Sequence, residues 1–87
     1  MVAKWAKLIQ RLLEGRSDAN IAFSDLRGLL LHLGFEERTR GSHHVFRRTG
    51  VDEKVNLQRD DGKAKPYQVR QVRDVILKYR LGALDDA

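Results

Sequence analysis

The spacing of apolar residues changes period twice along this chain, and that change limits the fold to a mixed α+β architecture. Trp5, Leu8, Ile9, Leu12 and Leu13 recur at helical spacing and form one apolar stripe. Gly15 follows and can take the left-handed conformation that ends a helix. Ser17 to Asn20 reads as a polar turn. Leu26, Leu29, Leu30 and Leu33 repeat the stripe in a second helix, with Ser24 as N-cap, Phe23 as hydrophobic staple and Gly34 as the stop. Gly28 weakens that helix by roughly 1 kcal/mol relative to alanine, or serves close packing.

Beyond Gly34 the helical spacing is lost. Phe35 to Arg40, Ser42 to Arg48 and Lys54 to Gln58 read as three strands, the last with Val55 and Leu57 on one face. Gly41 marks a tight turn between the first two, and Thr49 to Glu53 connects the second to the third. Arg59 to Lys65 is polar, with Asp61-Gly62 as a turn. Pro66 suits the first turn of a last helix, whose stripe is Val69, Val72, Ile76 and Tyr79 and whose end is Gly82. Arg70, Arg73 and Lys78 fall outside that stripe. The expectation is α-α-β-β-β-α, a three-stranded antiparallel sheet with helices packed on one face and the other face open. A three-stranded meander needs such cover to be stable.

The chain has 87 residues and no cysteine, which makes it one domain over 1–87 with neither a disulfide framework nor a thiolate metal site. No apolar run approaches the roughly 18 residues that span a bilayer, and the N-terminus lacks a signal-peptide pattern. Together these features point to the cytoplasm and away from a membrane. The formal charge is +5, which favours a polyanionic partner. Arg38, Arg40, Arg47 and Arg48 occur with no carboxylate among them. A second basic run from Arg59 to Arg80 has only Asp60, Asp61 and Asp74 against it, and Asp85 and Asp86 sit in the tail.

The segment Arg40 to Arg48 places two imidazoles among guanidinium groups. Histidine changes charge near neutral pH and can move protons, and arginine presents a fork that matches phosphate. Strand alternation sends His43 and His44 to opposite faces. If Phe46 turns into the core, His43 and Arg47 face solvent on the open side; if Val45 does, the assignment reverses. Phe46 buries more apolar area and favours the first arrangement. Neither an HxH nor an HxxxH pair is present, so a zinc site is not expected. Ser42 and His43 are strand neighbours that point apart, which makes Ser42 a hydrogen-bonding group rather than a nucleophile. Lys63, Lys65 and Pro66 precede the last helix, where basic side chains and free N–H groups together suit a phosphate.

The order helix, strand, Gly41-Ser42-His43-His44-Val45-Phe46-Arg47, strand, basic loop with Lys65-Pro66, apolar helix resembles the HicA family of toxin ribonucleases over about residues 24–80. The resemblance leaves residues 1–23 as an added helix and turn. It implies a double-stranded-RNA-binding-domain-like fold and cleavage of messenger RNA without a metal or cofactor. It also implies silencing by a HicB-like antitoxin. The family's glycine-serine-histidine motif carries the active-site histidine, which maps to His43, with His44 in reserve. Around it Arg40, Gly41, Ser42, Arg47 and Arg48 would contact RNA. Of these, Arg40 and Arg47 would hold phosphates together with Lys63 and Lys65, and Arg59 would also contact RNA. Many members carry a proline and a histidine after the third strand, where this chain has Val55-Asn56-Leu57-Gln58-Arg59. A binding module of the same fold, without cleavage, is the alternative reading. The extra helix is expected to pack on the domain or to form a homodimer contact.

Overall fold

The structure, a computed structural model, describes residues 4–82; Asp85 and Asp86 lie outside them. The order of elements is α1 (Lys4–Glu14), a 3-10 turn (Asp18–Asn20), α2 (Phe23–His32), β1 (Glu36–Arg40), β2 (His43–Arg47), β3 (Val55–Asp60), β4 (Lys63–Ala64) and α3 (Pro66–Tyr79). The strands form one antiparallel sheet in the order β1-β2-β3-β4.

The fourth strand corrects the expected three. Asp61 and Gly62 take φ +53° and +78°, so the chain reverses in a two-residue hairpin instead of running on as a polar loop. Lys63 and Ala64 then pair with Asp60 and Arg59. Two residues are too few to show alternation in a sequence, but here they organise the start of α2. The Ala64 N–H donates to the Ile21 carbonyl at 2.9 Å, and the Phe23 N–H donates to the Gly62 carbonyl at 3.1 Å. The helix therefore opens at Phe23 with Ala22 as N-cap, and no side chain caps it. Ser24 lies inside the first turn and does not act as the expected N-cap. The hairpin instead pairs the Phe23 N–H, the first of the donors left without an intrahelical partner at this end, with a backbone carbonyl.

Helices α2 and α3 bury one face of the sheet, and α1 packs on those two helices. Leu8, Ile9 and Leu12 of α1 meet Leu26, Leu29 and Leu30 of α2 and Val69, Val72, Val75 and Ile76 of α3, over Phe46, Val55 and Leu57 of the strands. The added helix is thus part of the core. Of its predicted stripe, Leu13 remains 43% exposed. Trp5 lies across Gly28, where an added Cβ would come 2.6 Å from the ring. Close packing is therefore the reason for a glycine inside α2. The guanidinium of Arg73, on α3, donates to the Leu12 carbonyl at 3.2 Å and to Asp18 at 2.9 Å. It ties the end of α1 and the 3-10 turn to the last helix. That helix closes on Arg80 in the left-handed conformation, not on Gly82 as expected. Gly82 instead fits against Ile9, where a Cβ would sit 2.6 Å from the Ile9 Cδ1.

Phe46 is fully buried, so the alternation along β2 runs as its larger side chain favours. Glu37, Thr39, His44, Leu57 and Arg59 share the helix-covered side. Arg38, Arg40, His43, Val45, Arg47, Asn56 and Gln58 share the open side. Among the described residues no helix is long and apolar enough to cross a membrane.

Candidate nucleic-acid interface

The open face is positioned by the β1–β2 turn. Arg40 pairs with His43, which leaves Gly41 and Ser42 as a two-residue loop. Gly41 has φ +60°, with open space where a Cβ would be. Its requirement is conformational, that of the first central residue of a tight hairpin turn. The turn sets the register that places every cation of this face.

Arg38, Arg40 and Arg47 rise around the half-buried side chain of Val45 and, with Lys54, line a depression of about 650 Å³. Glu36 is the carboxylate in its wall. Among the described residues none of these four cations forms an ion pair, whereas Lys4, Arg27, Arg73 and Lys78 all do. Unpaired guanidinium groups gathered over an apolar floor have the composition of a phosphate-binding surface.

His43 stands at the turn end of this face. Its strand partners are Arg40 on β1 and Gln58 on β3. Gln58 links the surroundings: its Nε2 donates to the Ser42 Oγ at 3.3 Å, and the Lys65 Nζ donates to its Oε1 at 3.3 Å. The Gln58 N–H donates to the buried Gln68 Oε1 at 3.0 Å. That bond secures the backbone of β3 where β4 has already departed into α3. Arg40, Ser42, His43 and Lys65 are therefore neighbours, and Arg47 lies further along β2. The exposed His43 ring has no hydrogen-bond partner among the described residues.

The other predicted residues lie elsewhere. Arg48 sits near Gly34 and lines a separate depression with Gly50, Val51 and Tyr79 at the far end of the sheet. Lys63 is exposed on β4, outside the arginine-lined depression. Arg59 is on the helix-covered side, with its guanidinium 4.8 Å from the centre of the Phe23 ring. His44 is on that side too. Its Nδ1 lies 2.7 Å from the Glu37 carboxylate, which Arg27 grips through contacts of 2.8 to 3.0 Å. Hydrogen bonding from Arg27 holds the Glu37 carboxyl below the usual carboxylate range, against the opposing effect of burial.

Sequence reasoning did not single out Lys54, Gln58, Arg27 or Glu37. For Glu37 a signal existed. Once Gly41 and Ser42 form a two-residue turn, Thr39 stands opposite His44 and Glu37 is its diagonal neighbour. Among the described residues no three of His, Cys, Asp and Glu come together as a set of metal ligands. No family model, curated protein or solved structure matches the chain.

Proposed function

We propose that this chain is a metal-independent endoribonuclease of the HicA toxin type, built on a variant of the double-stranded-RNA-binding-domain-like fold. The observation that carries this reading is the cluster of unpaired cations Arg38, Arg40, Arg47 and Lys54 beside the exposed His43. The arginines and Lys65 hold phosphates of the RNA strand, and Ser42 hydrogen-bonds it near the turn. His43 acts as general acid or base at the scissile phosphodiester. It takes the proton of an attacking ribose 2′-hydroxyl or returns one to the leaving 5′ oxygen. A single positioned group of this kind contributes about 10² to 10⁴ in rate. The same open face suits an acidic HicB-like antitoxin in the cytoplasm, since complementary charge speeds the encounter.

One observation favours the rival reading, an RNA-binding module without cleavage: nothing among the described residues fixes the tautomer of His43. The two separate in one experiment. Purified wild-type protein and His43→Ala are incubated with messenger RNA in the presence of a chelator. Cleavage by wild type alone supports the enzyme. Equal cleavage removes His43 from the chemistry, and salt-sensitive binding with no cleavage by either protein establishes the module.

A further inference from the structure

The imidazole that the fold orients is His44, on the side of the sheet away from the cation groove. Glu37 is ionised and can only accept, so Nδ1 of His44 carries the shared hydrogen. In the neutral ring Nε2 then presents its lone pair. The ring packs edge-on against Phe23 at 4.8 Å, which fixes its plane. Nε2 has no partner among the described residues, yet it is not sealed from solvent, and the side chain is 23% exposed. A carboxylate behind one nitrogen and an open lone pair on the other is the arrangement that prepares a histidine for proton transfer.

A free cation contacts the same aromatic ring. Arg59 lies over the same Phe23 ring and forms no ion pair among the described residues. Leu57 is the strand partner of His44, and Arg59 follows two residues later on the same face. That makes Arg59 the diagonal neighbour of His44, with Cα atoms roughly 7 to 8 Å apart. A network that only fastened α2 to β1 would need Arg27 and Glu37. It would have no use for an open Nε2 and an unpaired guanidinium on the same Phe23 ring.

We propose that His44 and Arg59 form a second site, on the helix-covered side of the sheet, that binds a phosphate group and exchanges a proton with it through His44 Nε2. Arg59 supplies the fixed positive charge, and Glu37, held by Arg27, is the positioning residue. The ligand is a phosphate ester, either the terminal monoester of a nucleotide or a diester within RNA. The sheet separates this site from His43, so it stands or falls independently of the ribonuclease reading.

The test uses the full ¹⁵N-labelled chain, with imidazole resonances followed by long-range ¹H–¹⁵N spectra. The free protein shows His44 protonated at Nδ1. Three probes are added: inorganic phosphate, adenosine 5′-monophosphate and an RNA hexamer with hydroxyl ends. Saturable shifts of the His44 Nε2 and Hε1 signals are expected, weakened at least tenfold in Arg59→Gln and partly restored in Arg59→Lys. His43→Gln should leave this response intact. A stronger response to the monophosphate than to the hexamer assigns a monoester site, and the reverse assigns a diester. His44 signals that ignore all three probes, or that respond equally in Arg59→Gln, overturn the proposal, as does a ring protonated at Nε2 alone.

Discussion

Replacing Gly28 by alanine should destabilise this domain, although the same change stabilises most helices. In an ordinary helix interior the substitution gains about 1 kcal/mol. Here the new Cβ would come 2.6 Å from the tip of the Trp5 ring. Carbon atoms pack at about 3.5 to 4.0 Å, so the ring must retreat by about 1 Å. Its freedom to do so is small. The ring is stacked on His32 with centroids 5.5 Å apart, and the helix that carries it is pinned by Leu8, Ile9 and Leu12. Overpacking of this kind costs about 1 to 3 kcal/mol, so the net loss is about 1 kcal/mol. For a domain of this size that lowers Tm by about 4 to 8 °C. Thermal unfolding followed by circular dichroism measures it, and Trp5, the single tryptophan, reports the local change by fluorescence. The informative control is Trp5→Ala. In that background Gly28→Ala should raise stability by about 1 kcal/mol, because only propensity remains. A Tm that rises in both backgrounds would refute the reasoning and detach Trp5 from α2.

Three further outcomes follow from the described contacts. Arg73→Met should cost about 1.5 to 3 kcal/mol, the range for hydrogen bonds to charged groups, and a double-mutant cycle with Asp18→Asn in urea unfolding should show non-additivity. Glu37 titrates below the ordinary carboxyl value in the folded state, chiefly through Arg27, so its stabilisation is full above about pH 4.3 and lost as pH falls through the folded value. Acid unfolding of Glu37→Gln should therefore lack that part of the slope, and an unchanged profile would show the ion pair to be without effect. If four cations of the open face each neutralise one phosphate, single-stranded RNA affinity should fall with salt at a log–log slope of about −3, read by fluorescence anisotropy. Lys54→Gln should reduce its magnitude by about 0.7, and a slope unaffected by this change would place the RNA elsewhere.

Much of the fold is legible in the sequence, because long stripes such as Val69, Val72 and Ile76 fit one period only. The same holds for the sidedness of β2, since Phe46 and Val45 compete for the core and the larger apolar surface wins. What stays hidden is set by partners distant in sequence. Ser24 looks like an N-cap, but the Gly62 carbonyl takes the Phe23 N–H and the helix starts two residues earlier, with Ala22 as N-cap. Lys63 and Ala64 look like loop because their pairing depends on the left-handed turn at Asp61 and Gly62. On the open face the clustering of Arg38, Arg40 and Arg47 follows from alternation once the turn is fixed. Lys54 joins them through the β2–β3 connection, whose path no periodicity describes. The link from Glu37 to His44 depends on register, and that from Arg27 to Glu37 on the docking of a helix.

The bond from Arg73 to Leu12 spans 61 residues of chain. Its consequence is temporal. During synthesis α1 emerges well before α3, the helix that completes its seat. At about 5 to 20 residues per second, roughly 3 to 12 s separate the two events. The β1–β2 and β2–β3 hairpins involve only near neighbours and can form within that interval, and α1 can dock on α2, whereas the side of α1 that α3 covers must wait in water. A nascent chain arrested before Pro66 should therefore expose the α3-facing side of this helix to chaperones, and emergence of α3 should withdraw it.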